Sequence, residues 1–309
     1  MVQFLSMGEP MLEFNQQPAD AEGRVMFLQG HGGDTSNAAI AAARQGVTAG
    51  YVTAIGQDAP GDSFMALWEA EGVDTRTVRR DPDAPTGIYF VTHDQRGHHF
   101  TYYRSGSAAA RYQPHDVPEA AIMAARVFYA SGISQAISAS AADAVFRAIG
   151  VAKDAGVTVA YDTNLRRSLW PISRARAVIH EAIRHADYAL PSLDDAEALT
   201  GLSDPDAIAD FYLRLGCPVV AMKLGKDGVL LATADRQVRI QGHRVDAVDA
   251  TGAGDTFCGS FLARIILGDA PEDAARYANA AAALSTTGHG AVAPIPRAGA
   301  VRSLLAGED

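Results

Sequence analysis

Residues 249–255, Asp-Ala-Thr-Gly-Ala-Gly-Asp, form a glycine-rich loop that precedes an apolar run. The two glycines let the backbone turn sharply, and the apolar run predicts a buried helix. The first turn of a helix offers unpaired N–H groups and the positive end of the helix dipole, so the backbone alone can hold a phosphate there. A carboxylate in a first turn is ordinarily a cap or a dipole partner. Beside a phosphate, however, Asp255 would lie where a substrate hydroxyl needs a base.

A second junction between a loop and a helix occurs early in the chain. Residues 30–37, Gly-His-Gly-Gly-Asp-Thr-Ser-Asn, run into an alanine-rich segment that ends at Gly46. Glycines, a capping residue and alanines predict a helix after the loop. A close contact between two helices explains the alanines, whereas the glycines indicate that something approaches the backbone.

The composition is that of an ordinary globular protein with an acidic balance. The 309 residues carry a formal net charge of −10 and a sequence pI near 5.3, which argues against nucleic acid or an anionic membrane as a partner. The length suits one large α/β domain, or one domain with a small accessory piece. Cys217 and Cys258 lie in apolar surroundings, so we expect buried free thiols and a reducing compartment. The sequence shows neither a signal peptide nor a long apolar run, and we expect a cytoplasmic protein.

Strand and helix patterns alternate along most of the chain, which predicts a mostly parallel sheet covered by helices on both faces. Ligands of such sheets collect beyond the carboxyl ends of the strands. Several polar or glycine positions fall at predicted strand ends, namely Gly132, residues 162–164, Ser192, Lys223 and the loop 249–255. We therefore expect the ligand site at this edge of the sheet.

Residues 86–104 depart from this pattern, because they alternate with period two around a predicted turn at residues 94–97. Such a pattern is typical of a β-hairpin. Together with predicted strands near Phe14 and Phe27, the aromatic hairpin predicts a small separate sheet that serves as a lid. Lids exclude water from phosphoryl-transfer sites.

The two glycine-rich junctions carry a family resemblance. The chain lacks a Gly-x-x-x-x-Gly-Lys-Ser/Thr loop, the protein-kinase signatures and a dinucleotide fingerprint after the first strand. Residues 249–255 resemble the C-terminal signature of the ribokinase-like, PfkB-type sugar kinases, and Gly32, Gly33 and Asn37 resemble the N-terminal one. The resemblance implies one three-layer α/β/α kinase domain over residues 1–309, with a mostly parallel central sheet and a discontinuous β lid from about 11–30 and 86–105.

Within that family the chain is most similar to the 2-keto-3-deoxygluconate kinases, through residues 8–13, 32–37, 86–89, 102–104 and 162–170. A sugar acid carries a carboxylate, which arginine forks and tyrosine hydroxyls suit. Arg104 ends a predicted lid strand and Arg166 follows a core strand, so both could meet one ligand. A surface ion pair is the alternative explanation for each arginine.

The resemblance also implies roles for individual residues. Asp255 would be the general base, and the N–H groups of Gly252, Ala253 and Gly254 would form the anion hole. The sugar would be held by Gly33, Asn37, Tyr89, Tyr102, Arg104 and Arg166. The ATP site would include Ser192, Lys223, Gly225, Gly228 and Asn279. A monovalent cation such as K⁺ would lie near Asp249 and Thr251.

One departure concerns magnesium. The family often carries Asn-x-x-Glu where this chain has Ser-Leu-Asp-Asp at residues 192–195, so Asp195 would contact the Mg²⁺ of ATP only through water. The alternatives are a kinase of a neutral sugar such as fructose, ribose or a nucleoside, and a metabolite-binding protein that has lost catalysis. Because an aromatic lid sheet is hard to keep soluble alone, we also expect a homodimer joined through the lid.

Overall fold

Strands and helices alternate along the chain in the computed structural model, which describes residues 1–94 and 97–307. The strands are β1 (Phe4–Met7), β2 (Met11–Gln17), β3 (Met26–Gly32), β4 (Ala49–Gly56), β5 (Val78–Asp81), β6 (Gly87–Asp94), β7 (Gly97–Tyr103), β8 (Val127–Ser131), β9 (Thr158–Asp162), β10 (Tyr188–Ala189), β11 (Val219–Lys223), β12 (Val229–Thr233) and β13 (Gln237–Ile240). The α-helices are α1 (Asp34–Arg44), α2 (Ala59–Ala70), α3 (Glu119–Met123), α4 (Gly132–Ala136), α5 (Ala139–Asp154), α6 (Ile172–Arg184), α7 (Leu193–Thr200), α8 (Pro205–Leu215), α9 (Ala253–Leu267), α10 (Pro271–Ser285) and α11 (Ala298–Ala306).

Within the described residues, the central sheet has nine strands in the order β13-β12-β11-β10-β9-β8-β1-β4-β5. The strands from β11 to β5 in this order run parallel, and β12 and β13 close one edge as an antiparallel hairpin. The predicted mostly parallel sheet and its edge hairpin are therefore confirmed. The carboxyl ends of the parallel strands lie at one edge, where polar residues follow β8, β9 and β11.

Helices cover the central sheet on both faces, which gives three layers. One hydrophobic cluster joins α5, α6 and α8 to the sheet through residues such as Val145, Ile183 and Tyr212. The other joins α1, α2, α9 and α10 to the opposite face through residues such as Trp68 and Phe261. Cys217 and Cys258 are both buried free thiols, as predicted.

A second sheet of four strands, in the order β3-β2-β6-β7, forms what we call the small sheet. It contains the predicted aromatic hairpin, and β2 pairs in parallel with β6. Residues 30–32 were predicted as a loop but lie in β3, because they pair with Met11, Leu12 and Glu13 of β2. The turn predicted at residues 94–97 includes residues 95 and 96, which lie outside the described part of the chain.

The chain passes between the two sheets at four places, which we call the crossings. They are residues 8–10 after β1, Gly33 after β3, residues 82–86 after β5 and residues 104–108 after β7. No helix in the described residues is long and apolar enough to cross a bilayer. The cytoplasmic location stays a prediction.

Candidate active site

A cavity of about 900 Å³ opens between the carboxyl edge of the central sheet and the small sheet. Its wall brings together most of the predicted site residues: Gly33, Asn37, Tyr89, Tyr102, Arg104, Arg166, Ser192, Asp195, Lys223, Gly225, Thr251, Gly252, Gly254 and Asp255. Among the described residues, Ala253, Gly228, Asn279 and Asp249 do not line it. The two glycine-rich junctions, far apart in the sequence, thus meet in one cavity.

The first junction places two polar side chains at the start of α1. Gly33 precedes the helix with a φ of 112°, and a Cβ at this position would lie 2.6 Å from the carbonyl oxygen of Glu9. Only glycine accepts both this conformation and this contact without strain. The helix then begins at Asp34, so that Asp34 and Asn37 line the cavity from its first turn.

The second junction places Asp255 in the first turn of α9. Gly252 precedes the helix in the left-handed conformation, with a φ of 77°, and a Cβ there would lie 2.8 Å from the carbonyl oxygen of Ala291. In the described chain, no side chain caps this helix start. The N–H groups of this first turn therefore lie beside the cavity, and no side-chain oxygen accepts a hydrogen bond from them in the described chain. Together with the helix dipole, they can bind an anion.

Close packing of α1 on α9 brings the two junctions together. Gly259 lies so near α1 that a Cβ would be 2.2 Å from the carbonyl oxygen of Ala38 and 2.7 Å from Cβ of Ala41. The alanines of α1 thus allow a close contact with a second helix, which is the explanation that the sequence analysis gives for them. As a result, Nδ2 of Asn37 donates a hydrogen bond of 2.8 Å to Oδ2 of Asp255.

Asp255 is half-buried and lies near two buried carboxyls, those of Asp34 and Asp162. Burial, then the charge of Asp34, raises the pKa of Asp255 to about 7, while the hydrogen bond from Asn37 and the charge of Lys223 act in the opposite direction. Burial likewise raises the pKa of Asp34. A carboxyl that titrates near neutrality can accept a proton from an alcohol and release it again.

Lys223 supplies positive charge to this group. Its Nζ donates to Oδ2 of Asp162 at 2.7 Å, and the two side chains are 13% and 3% exposed. Burial lowers the pKa of Lys223, but the charge of Asp162, its hydrogen bond and the charges of Cys258 and Asp255 together outweigh burial, so the pKa is raised. The predicted ATP-site lysine is thus held as a charged partner of Asp162, close to Gly254.

The two predicted carboxylate-binding arginines each have a buried acidic neighbour. Nε of Arg104 donates to Oε2 of Glu9 at 2.8 Å, and Nη2 binds the same oxygen. Arg166 donates from Nη1 to the carbonyl oxygen of Leu165 at 3.0 Å, and its charge lowers the pKa of Asp34 against the larger effect of burial. Arg104 is thus paired with a buried carboxylate, whereas Arg166 is exposed, and both line the cavity.

The other predicted nucleotide residues fall into two sets. Ser192 caps α7 through a hydrogen bond of 3.3 Å from the Asp195 amide, and Gly225 lies in the cavity wall. Outside the wall, Nδ2 of Asn279 donates to the carbonyl oxygen of Gln241 at 2.7 Å. A Cβ at Gly228 would lie 2.6 Å from the amide nitrogen of Gly242, so both residues fix the segment 241–242.

The predicted cation residues already accept hydrogen bonds from the protein. Oδ2 of Asp195 accepts from the Leu165 amide at 3.1 Å. Oδ1 of Asp249 accepts from the amide and hydroxyl of Thr251 at 2.9 and 2.6 Å, and its Oδ2 accepts from the Gly290 amide at 2.9 Å. No three His, Cys, Asp or Glu residues gather as a metal site within residues 1–94 and 97–307.

Sequence reasoning gave no individual role to four buried polar residues that line the cavity: Glu9, Asp34, Asp162 and Asn164. Asn164 has a φ of 22°, and its Nδ2 donates to Oδ2 of Asp34 at 2.7 Å. All four fall inside stretches that the sequence analysis singles out as motifs, namely residues 8–13, 32–37 and 162–170. The motifs therefore marked these stretches, but they did not show which side chains face the cavity.

The fold and the cavity define an α/β protein with a large polar ligand site at the carboxyl edge of its sheet. The chain belongs to the pfkB family of carbohydrate kinases, whose model matches residues 17–298. It is 33% identical to the 2-dehydro-3-deoxygluconokinase of Bacillus subtilis (strain 168) over 91% of this chain and 88% of that protein. It is 34% identical to the protein of the same name from Thermoproteus tenax, over 96% and 93%. It is also 33% identical to fructokinase-1 of Oryza sativa subsp. japonica, over 94% of each chain.

Solved structures agree with this assignment. The fructokinase of Xylella fastidiosa with bound ATP superimposes with a TM-score of 0.90, at 26% identity over 99% of this chain and 98% of that one. A fructokinase double mutant from Vibrio cholerae, with fructose, ADP and potassium ion bound, gives a TM-score of 0.87, at 27% identity over 99% and 98%. An E. coli structure that contains ATP and Mg²⁺ gives 0.90, at 27% identity over 99% of both chains. The chain is therefore a ribokinase-like carbohydrate kinase that uses ATP.

Proposed function

We propose that this kinase transfers the γ-phosphoryl group of ATP to the terminal hydroxyl of 2-keto-3-deoxygluconate, also called 2-dehydro-3-deoxygluconate. The observation that carries the proposal is that Arg104 and Arg166 line the same cavity as Asp255. A sugar acid needs cationic donors for its carboxylate and a base for its hydroxyl, and this cavity offers both. The relatives named 2-dehydro-3-deoxygluconokinase support the choice of sugar.

The remaining sugar contacts would come from polar groups of the two junctions and the small sheet. Among the described residues, Oδ1 of Asn37 is buried and has no hydrogen-bond partner. A buried acceptor of this kind costs free energy until it meets a donor, and a sugar hydroxyl supplies one. Gly33 would let the sugar lie against the backbone, and Tyr89 and Tyr102 would contribute hydroxyls from the small sheet.

Asp255 would act as the general base. Its carboxylate takes the proton of the terminal hydroxyl, the hydroxyl oxygen forms a bond to the γ-phosphorus, and the bond from that phosphorus to the bridging oxygen of ADP breaks. The N–H groups of Gly252, Ala253 and Gly254 would stabilise the transferring group, and the ammonium of Lys223 lies close by. Mg²⁺ supplies charge neutralisation to the phosphates when it is bound with ATP.

The nucleotide and the cations would be held as follows. Ser192, Lys223 and Gly225 would line the ATP site directly, whereas Gly228 and Asn279 would shape it through the segment 241–242. Asp195 would reach the Mg²⁺ of ATP only through water, since one of its carboxylate oxygens already accepts from the Leu165 amide. Asp249 and Thr251 would border the site of a monovalent cation, with K⁺ as the candidate.

A neutral-sugar kinase is the second candidate, because fructokinases match this chain at similar identity. A coupled assay of ADP release across sugar acids and neutral sugars separates the two. We expect kcat/KM for 2-keto-3-deoxygluconate to exceed that for fructose, ribose and nucleosides by orders of magnitude. A preference for fructose would contradict the proposed substrate and leave the kinase assignment intact.

The small sheet would be a lid on the single domain of residues 1–309 and would join two copies of the chain. The small sheet carries large exposed apolar side chains, with Leu28 62%, Phe100 55% and Tyr103 61% exposed. An apolar surface of this kind usually marks an interface. Sedimentation at micromolar concentration should give a dimer, and a monomer there would contradict it.

A further inference from the structure

The side chain of Glu9 is fully buried at the point where the central and small sheets meet. It belongs to the first crossing, between β1 and β2, and its carboxyl contacts Arg104 and Ser107 of the fourth crossing. Burial raises the pKa of this carboxyl, and the charge of Arg104 with a hydrogen bond from Ser107 opposes the rise. A buried carboxyl is costly unless it is paired, so its position calls for an explanation.

Three of the four crossings meet at this residue, and the first residue of β6, which follows the remaining crossing, lies beside it. A Cβ at Gly33 would lie 2.6 Å from the Glu9 carbonyl oxygen, and a Cβ at Gly87, where the third crossing enters β6, would lie 3.0 Å from Oε1. In the fourth crossing, Arg104 binds Oε2 and the hydroxyl of Ser107 donates to Oε1 at 2.5 Å. A shift of the small sheet as a whole relative to Glu9 would disturb at least one of these contacts.

Arg104 is the link between Glu9 and the cavity. Its Nε and Nη2 are both taken by Glu9, which fixes the plane of the guanidinium. The same side chain lines the cavity and lies 5.9 Å from the ring centroid of Tyr102. A fixed guanidinium loses less conformational freedom when it binds a ligand, because the plane that holds its remaining N–H groups is already set.

We propose that Glu9 is a positioning residue for acceptor binding: it holds Arg104 in the cavity wall and ties that arginine to the crossings at residues 8–10, Gly33 and residues 104–108. The proposal rests on the proposed function in one respect, namely that Arg104 contacts the acceptor. Glu9 itself does not touch the reacting atoms. An acceptor that binds Arg104 is thereby coupled to the position of the small sheet.

The test is a double-mutant cycle with the variants Glu9→Gln and Arg104→Ala. Glutamine keeps the shape of glutamate but removes its charge, so in E9Q the KM for the sugar acid should rise about tenfold, the scale of one charge-assisted hydrogen bond. We expect kcat to change less than about threefold, and the KM for ATP to stay the same. Because Glu9 acts through Arg104, E9Q should add nothing to the KM of R104A. Additive effects on KM, or equal losses in kcat and in ATP binding, would overturn the proposal.

Glu71→Gln is the matched control, because Glu71 forms a similarly buried pair with Arg44, 2.7 Å from Nη2 to Oε1, away from the cavity. It should lower the melting temperature as E9Q does, yet leave the KM for the acceptor within about twofold.

A crystal structure of E9Q should show the Arg104 side chain displaced from the cavity wall. This readout needs no acceptor, so it tests Glu9 even if the wild-type enzyme prefers a neutral sugar and the proposed function fails. An undisplaced Arg104 would overturn the role of Glu9.

Discussion

Nδ2 of Asn37 donates a 2.8 Å hydrogen bond to Oδ2 of Asp255, and this bond joins two helix starts that lie 218 residues apart in the chain. Burial and the charge of Asp34 raise the pKa of Asp255 to about 7, and the bond from Asn37 acts in the opposite direction. It also fixes which oxygen of Asp255 remains available to a ligand. The candidate base is therefore oriented by the first glycine-rich junction and carried by the second.

Replacement of Asp255 by Asn should abolish most of the turnover. Asparagine keeps the hydrogen-bonding shape but cannot accept the hydroxyl proton, so we expect kcat to fall by about 10²–10⁴, the usual contribution of a general base. ATP binding, measured by calorimetry, should remain. Asp143→Asn, a change at an exposed residue of α5, is the control and should leave kcat unchanged. Near-normal turnover of D255N would remove the base assignment.

The pH dependence of kcat/KM should report the titration of Asp255 together with the carboxyls beside it. The deprotonated form is the active base, so activity should be lost as the pH falls through about 7. The charge of Asp34 raises the pKa of Asp255, so Asp34→Asn should move this acid limb to lower pH. Profiles of kcat/KM for the wild type and D34N test this. A limb that stays in place would show that the two carboxyls do not interact as described.

Arg166→Ala tests the charge of the acceptor. If Arg166 binds the carboxylate of a sugar acid, its loss should raise the KM for that acceptor by about tenfold to a hundredfold, the range of a hydrogen bond to a charged group. Arg167→Ala, at the neighbouring exposed residue that does not line the cavity, is the matched control. Equal and small effects of both changes on KM would favour a neutral sugar.

Gly33→Ala should destabilise the fold through a specific contact. The new Cβ would lie 2.6 Å from the Glu9 carbonyl oxygen at a φ of 112°. Gly46→Ala carries the strain of a positive φ, 96°, but meets no atom within 4 Å. We expect G33A to lose more free energy of unfolding than G46A by about 1–3 kcal/mol, a typical cost of overpacking. Denaturant melts of both variants measure the difference, and equal losses would show that the close approach to Glu9 is relieved by a small shift.

Lys223→Met should be strongly destabilising, because it leaves the carboxylate of Asp162 buried without its partner. Breaking a buried ion pair costs about 3–5 kcal/mol. The double variant D162N/K223M removes the unpaired charge and should recover part of the loss. Thermal unfolding of the two variants checks this, and equal melting temperatures for both would count against a charged pair. In K223M the pKa of Asp255 should also rise, since Lys223 lowers it.

The sequence by itself determined the elements and the two junctions. Alternating patterns predicted the parallel sheet, and period two predicted the small sheet, because burial on one or two faces dictates the spacing of apolar residues. Gly33 and Gly252 marked the junctions, since their backbone conformations are costly for other residues. These signals are local, and each can be recognised within a few residues.

Only the tertiary structure decided which polar side chains share the cavity. Glu9 faces Arg104 across 95 residues and Asp34 faces Asn164 across 130, and neither pair has a local pattern. Gly228 and Asn279 lie outside the cavity wall. The sequence did not show this, because a motif cannot distinguish a residue that lines a site from one that supports a neighbouring segment. Such contacts follow from strand order and from the approach of α9 to α1 at Gly259, which arise when distant parts of the chain pack together. Local periodicity determines what each segment becomes, and long-range packing determines which segments meet.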